Sequence, residues 1–94
     1  MVVNMKHKPV RYVSEHIGLP ADIVCGASII TAYGNNHVFI ENYRGITEYN
    51  DKYIKIQGKN CRIIIKGEHL VINFYTDNDM RIDGIINDVN FYGG

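Results

Sequence analysis

The chain has 94 residues, ten lysines and arginines against ten acidic residues, and 46% hydrophobic content. That length holds one domain with one core, and the composition suits a globular chain and argues against a disordered one. Zero formal net charge argues against a dedicated nucleic-acid binder, which is usually basic, and favours a protein that associates with itself or a partner.

Residues 1–9 read as a flexible, mildly basic tail (Lys6, His7, Lys8), and residues 10–94 as a single all-β domain opened by one short helix. Val10, Val13 and Ile17 recur at steps of three and four, with Pro9 suited to the first turn and Gly18 just past the end. Leu19-Pro20 forbids continuation. Two helical turns are stable only when packed on something.

After Pro20 the pattern is strand and turn. "ADIVCG" and "SIITAY" lead to the turn Gly34-Asn35-Asn36, followed by "HVFIENY". Arg44-Gly45 reads as the next turn, before "ITEY" and the break at Asn50-Asp51. "KYIKIQ" alternates, with Ile54 and Ile56 on one face and Lys55 and Gln57 on the other. Gly58-Lys59-Asn60 signals a hairpin into "CRIIIK", and Gly67-Glu68 a turn into "HLVINFY". "TDND" is a polar loop before "MRIDGII" and "DVNFY". Seven tyrosines and many isoleucines and valines support strands. About eight short strands with turns every eight to twelve residues predict an antiparallel hairpin or meander sandwich or roll. Gly58, Gly67 and Gly84 each close an apolar run, a rhythm of repeated hairpin geometry rather than of a solenoid.

Few residue patterns suggest catalysis. Asp77, Asp79, Asp83 and Gly84 resemble a calcium loop only superficially, because Arg81 stands where an oxygen ligand is required. His7, His16, His37 and His69 have no ligand spacing, although His37 and His69 begin strands and could meet across a sheet. Cys25 and Cys61 lie 36 residues apart and read as reduced, small hydrophobic residues. No Gly-x-Ser-x-Gly and no phosphate-binding loop occurs, so the expectation is a non-enzyme with no cofactor and no metal. No apolar stretch approaches the roughly 20 residues of a membrane span, and no secretion signal is visible, so an intracellular, cytoplasmic protein is expected. Tyr43-Arg44, Tyr53-Ile54-Lys55 and Arg62 could form the surface of a small barrel that binds single-stranded nucleic acid, which is the alternative reading.

The segment "FIENYRGITEY", residues 39–49, concentrates the remaining chemistry. Alternation puts Val38, Ile40 and Asn42 on one face and Phe39, Glu41 and Tyr43 on the other. Asn42 can fix a turn through its backbone, Gly45 can relieve it, and Glu41 and Arg44 are close enough to pair. Ile40, Glu41, Asn42, Tyr43, Arg44, Gly45 and Ile46 are therefore the candidate site, as a hairpin that either makes a partner contact or only orders the fold.

The same segment carries a resemblance. "LPADIV", "ITAYGNNHVFIENYRGITEYN", "IIIKGEHLVI" and "MRIDGIINDVNF" resemble the YabP/YqfC family of sporulation proteins, over residues 12–91. The matching residues are Leu19, Pro20, Asp22, Gly34, Asn35, Ile40, Glu41, Asn42, Arg44, Gly45, Ile46, Gly67, Leu70, Ile72, Gly84 and Ile86. Tyr43 stands where the family usually has His, and Cys25-Gly26-Ala27 replaces a segment that often contains Leu-Pro. The resemblance implies a small, all-β, non-enzymatic protein of endospore-forming bacteria, made in the mother cell and used at the forespore surface. It implies protein–protein contacts with a membrane-bound sporulation protein as partner, since the genes are often neighbours, while homo-oligomer formation is expected from the zero net charge. Nucleic acid and membrane insertion are not implied.

Overall fold

A computed structural model describes residues 10–13 and 21–93. The strands are β1 (Val10–Val13), β2 (Ala21–Cys25), β3 (Ser28–Tyr33), β4 (His37–Glu41), β5 (Tyr43–Tyr49), β6 (Tyr53–Gly58), β7 (Cys61–Tyr75) and β8 (Asp79–Gly93). All pairings are antiparallel, in one sheet of order β2-β3-β4-β8-β7-β6-β5, with β1 added beside β8. The all-β, antiparallel expectation holds.

The helix expected over residues 10–17 is absent from the described part of that span. Val10–Val13 is extended and pairs with Val13↔Asp88 and Val10↔Phe91 in register; residues 14–17 lie outside the described residues, as do residues 1–9. The physical reason is competition. Two turns of helix are marginal, and Val10, Tyr12 and Val13 are good strand formers offered the open edge of β8.

β7 and β8 each run for 15 residues and join two runs that the sequence pattern separates. Gly67-Glu68 is not a turn but a bend inside β7, where the register with β8 shifts twice. At that bend a Cβ on Gly67 would stand 1.8 Å from the Ile85 carbonyl oxygen, and Gly84 has φ +139° with the His69 carbonyl against it. Only glycine lets the two backbones approach so closely there. The bulges free backbone N–H groups, and neighbouring loops receive them: Gly67 and Leu70 donate to the Lys52 and Asp51 carbonyls, and Gly84 and Ile86 donate to the Asn36 and Asn35 carbonyls.

The two bends fold the sheet over on itself into a roll with two leaves. The first leaf holds β1, β5, β6, the start of β7 and the end of β8; the second holds β2, β3, β4, the end of β7 and the start of β8. Ile54, Ile56, Ile63, Ile65 and Phe91 from the first leaf form one buried cluster with Ile30, Val38, Ile40, Met80 and Ile82 from the second. Each such side chain contributes about 1.5–3 kcal/mol by leaving water. Where β5 passes the free edge of β7, tyrosines replace strand pairing: Tyr43 Oη donates to the Thr76 carbonyl at 2.5 Å, and Tyr49 Oη accepts from Ile72 N at 3.3 Å.

The cysteine expectation is corrected in part. Cys61 is fully buried and disulfide-bonded rather than reduced, in a chain whose cysteines are Cys25 and Cys61. The backbones of these two positions flank turns that touch, since Ala27 N donates to the Lys59 carbonyl at 3.1 Å. Widely spaced cysteines carry no disulfide signature, so only the meeting of the two turns brings the bond within reach.

Candidate functional site

β4 and β5 do not pair, so residues 41–46 are not a hairpin. β4 lies beside β8 in the second leaf and β5 beside β6 in the first. The chain turns from one leaf to the other at Asn42, which has φ +62°, and not at Arg44-Gly45, which continue β5 with a bulge. Asparagine tolerates this left-handed conformation better than other residues with a side chain.

Asn42 engages through both its backbone and its side chain. Its N donates to the Asn78 carbonyl (2.7 Å), its carbonyl accepts from Ser28 Oγ (2.9 Å), its Nδ2 donates to the Ala27 carbonyl (2.8 Å), and its Oδ1 accepts from Lys59 Nζ (3.1 Å). One residue thus ties together the β2–β3 turn, the β6–β7 turn and the β7–β8 loop. The left-handed step also reverses the side-chain alternation, so Tyr43 points inward and is buried although simple alternation puts it with Phe39. Tyr43 stacks on Tyr75 with ring centroids 5.9 Å apart. Burial, the neighbouring Tyr75 and the charges of Asp79 and Asp77 push its hydroxyl up to about 12.

Of the seven candidate residues, Ile40 is in the core and Ile46 packs against it, while Asn42 and Tyr43 are committed to internal bonds. Gly45 lies at the β5 bulge. Glu41 and Arg44 face outward on different leaves, and no Glu41–Arg44 ion pair is found among the described residues. The motif is a joint of the fold, with Arg44 exposed at its surface.

The outer face of the second leaf groups exposed aromatic and aliphatic side chains. β4 and β8 pair there as His37↔Asp83, Phe39↔Arg81 and Glu41↔Asp79, and β7 adds Val71↔Asp83 and Phe74↔Arg81. A register shift between Ile72 and Phe74 turns Phe74 outward, where regular alternation would bury it with Leu70 and Ile72. Tyr33 is 50% exposed, Phe74 47% and Val71 53%. Shallow depressions join Tyr33, His37, Phe39 and Arg81, and Phe39, Phe74, Asn73, Asp79 and Arg81.

Asp83 organises the polar centre of this face. His37 Nδ1 (2.8 Å), Arg81 Nε (2.8 Å) and Asn73 Nδ2 (2.5 Å) all converge on its carboxylate. Burial raises its pKa, but the bonds from Asn73, Arg81 and His37 outweigh that and bring it down to about 2. His37 therefore meets Asp83 and not His69, which sits at the β7 bend with φ +55°. Among the described residues no His, Cys, Asp and Glu group has metal-binding geometry, and no helix is long and apolar enough to cross a membrane.

The first leaf carries the basic residues. Tyr53, Lys55, Gln57, Arg62, Ile64 and Lys66 share its outer face through the β6–β7 register. Lys55 Nζ lies 3.2 Å from Glu48 Oε1 and 5.3 Å from the Tyr53 ring centre, and Tyr53 Oη donates to Glu48 Oε2. The hydrogen bond from Tyr53, then that from Lys55, lowers the Glu48 pKa. Of the aromatic and basic residues considered for nucleic acid, Tyr53, Lys55 and Arg62 come together, whereas Tyr43 is buried on the other side of the sheet.

Residues 26–94 match the YabP family. The chain is 24% identical over 86 residues to "Uncharacterized protein YqfC" of Bacillus subtilis (strain 168), covering 92% of each. No solved structure matches.

Proposed function

The chain belongs to the YabP family, and from that premise we propose that it is a non-enzymatic interaction protein of endospore formation. It works in the mother cell at the forespore surface, through contacts with copies of itself and with a membrane-bound sporulation protein. The observation that carries this reading is the outer face of the second leaf, where Tyr33, Phe74 and Val71 are half exposed around Arg81 and Asp83. Exposed aromatic and aliphatic side chains grouped on one rigid sheet face mark a contact surface. The face is shallow and its strongest polar groups, His37, Asn73, Arg81 and Asp83, bond one another. That arrangement suits docking better than bond making or breaking.

The test is replacement of Tyr33 and Phe74 by Asp in a spore-forming host. The expected result is a protein with unchanged circular dichroism, a defect in spore formation and loss of co-purifying partners. Normal spore formation by the doubly substituted, folded protein would defeat the reading.

A further inference from the structure

We propose that the occupant of the second leaf's outer face is the first leaf of another copy of this chain, docked head to tail. This rests on reading that face as a contact surface, and it names what covers it.

Charge chooses the occupant. From Tyr43 to Lys66 the chain carries six cations, Arg44, Lys52, Lys55, Lys59, Arg62 and Lys66, against two acids, Glu48 and Asp51. From Gly67 to Asp83 it carries one cation, Arg81, against the four acids Glu68, Asp77, Asp79 and Asp83, while Asp88 lies opposite Lys66 on the first leaf. The whole chain is neutral, yet the strands of the first leaf hold the positive excess and the second leaf's face is bordered by acids. Glu41 and Asp79 stand directly opposite each other on β4 and β8, and neither carboxylate has a side-chain partner among the described residues. Like charges facing each other across a strand pair are destabilising, and a cation brought from outside relieves them.

The first leaf offers that cation beside an apolar floor. A groove on it is lined by Thr47, Lys55, Gln57, Arg62, Ile64 and Tyr92. Arg62 is exposed and unpaired among the described residues. The ring of Phe74 fits such a groove, with Asp79 and Glu41 reaching the Arg62 side. Face-to-face pairing of two identical second leaves would bring two acid-bordered faces together, so the complementary contact is heterologous and leaves one free face at each end.

The experiment uses two single variants of the full chain, Phe74→Asp and Arg62→Glu, whose altered faces carry like charges and cannot pair with each other, each checked for native circular dichroism. Sedimentation velocity of the unaltered chain is expected to show growth with concentration that fades at high salt. Each variant alone is expected to associate about tenfold more weakly or worse. Mixed in equal amounts, they are expected to form a complex of one copy of each and stop there, because one intact acidic face meets one intact basic face. A chain that stays monomeric at low salt, a dimer indifferent to both substitutions, or a mixture that stays monomeric overturns the proposal. If the chain stays monomeric while the Tyr33 and Phe74 substitutions still block spore formation, the contact surface stands and its occupant is a different protein.

Discussion

Asn42 shows how much one residue can determine. Its left-handed backbone and its four hydrogen bonds hold the corner between the leaves. Asn42→Ala is expected to cost about 2–3 kcal/mol, from backbone strain and lost bonds together. Asn42→Gly removes the side-chain bonds but not the backbone tolerance, so its urea midpoint should lie between those of Ala and the native residue. The motif was legible in the sequence as something special, but not its purpose. Asn, Gly and a charged pair read as a hairpin, because local pattern cannot show that β4 and β5 find partners on opposite sides of the molecule. Asp83 gives a second test at this scale. Its folded pKa of about 2 is below the ordinary 3.8, so its contribution is complete above about pH 4 and is lost as pH falls through about 2. Asp83→Asn should therefore flatten the acid limb of stability between pH 4 and 2, measured as urea midpoints across that range.

Strands were legible wherever alternation is strict. Ile54 and Ile56, Ile63 and Ile65, and Val38 and Ile40 are all buried, as their spacing requires. Alternation failed at the bends, because a bulge or a left-handed residue inverts it without any change in composition: Tyr43 turned inward and Phe74 outward. The outer face of the second leaf was missed for this reason. Its residues are spread over β3, β4, β7 and β8, and its only sequence signal is the set of odd-face residues in "HVFIE" and "MRID". The glycine rhythm was visible, and its cause is tighter than a turn. Gly67→Ala would drive a methyl group into the Ile85 carbonyl, with backbone on both sides unable to yield. A loss on the order of 3 kcal/mol or more is expected, read as a fall in urea midpoint, against little change for Ala at Gly45, where nothing lies within 4 Å.

For the whole molecule, composition pointed correctly to an all-β fold, while the separation of charge between leaves is invisible in a net charge of zero. It emerges only when β5 and β6 are placed away from β4. Arg44 is one of the six cations on the basic side, and it is exposed. Arg44→Glu is expected to leave thermal unfolding within about 0.5 kcal/mol of the native chain and to weaken self-association in sedimentation.

Because β7 and β8 each serve both leaves, neither leaf owns its central strands. Prying one open strips hydrogen-bonded neighbours from the other, so partial opening has almost no intermediate to rest in. Amide exchange should report this directly: the protons of Ile63 and Ile82, one on each leaf, should share a single opening free energy and fall together as denaturant is added.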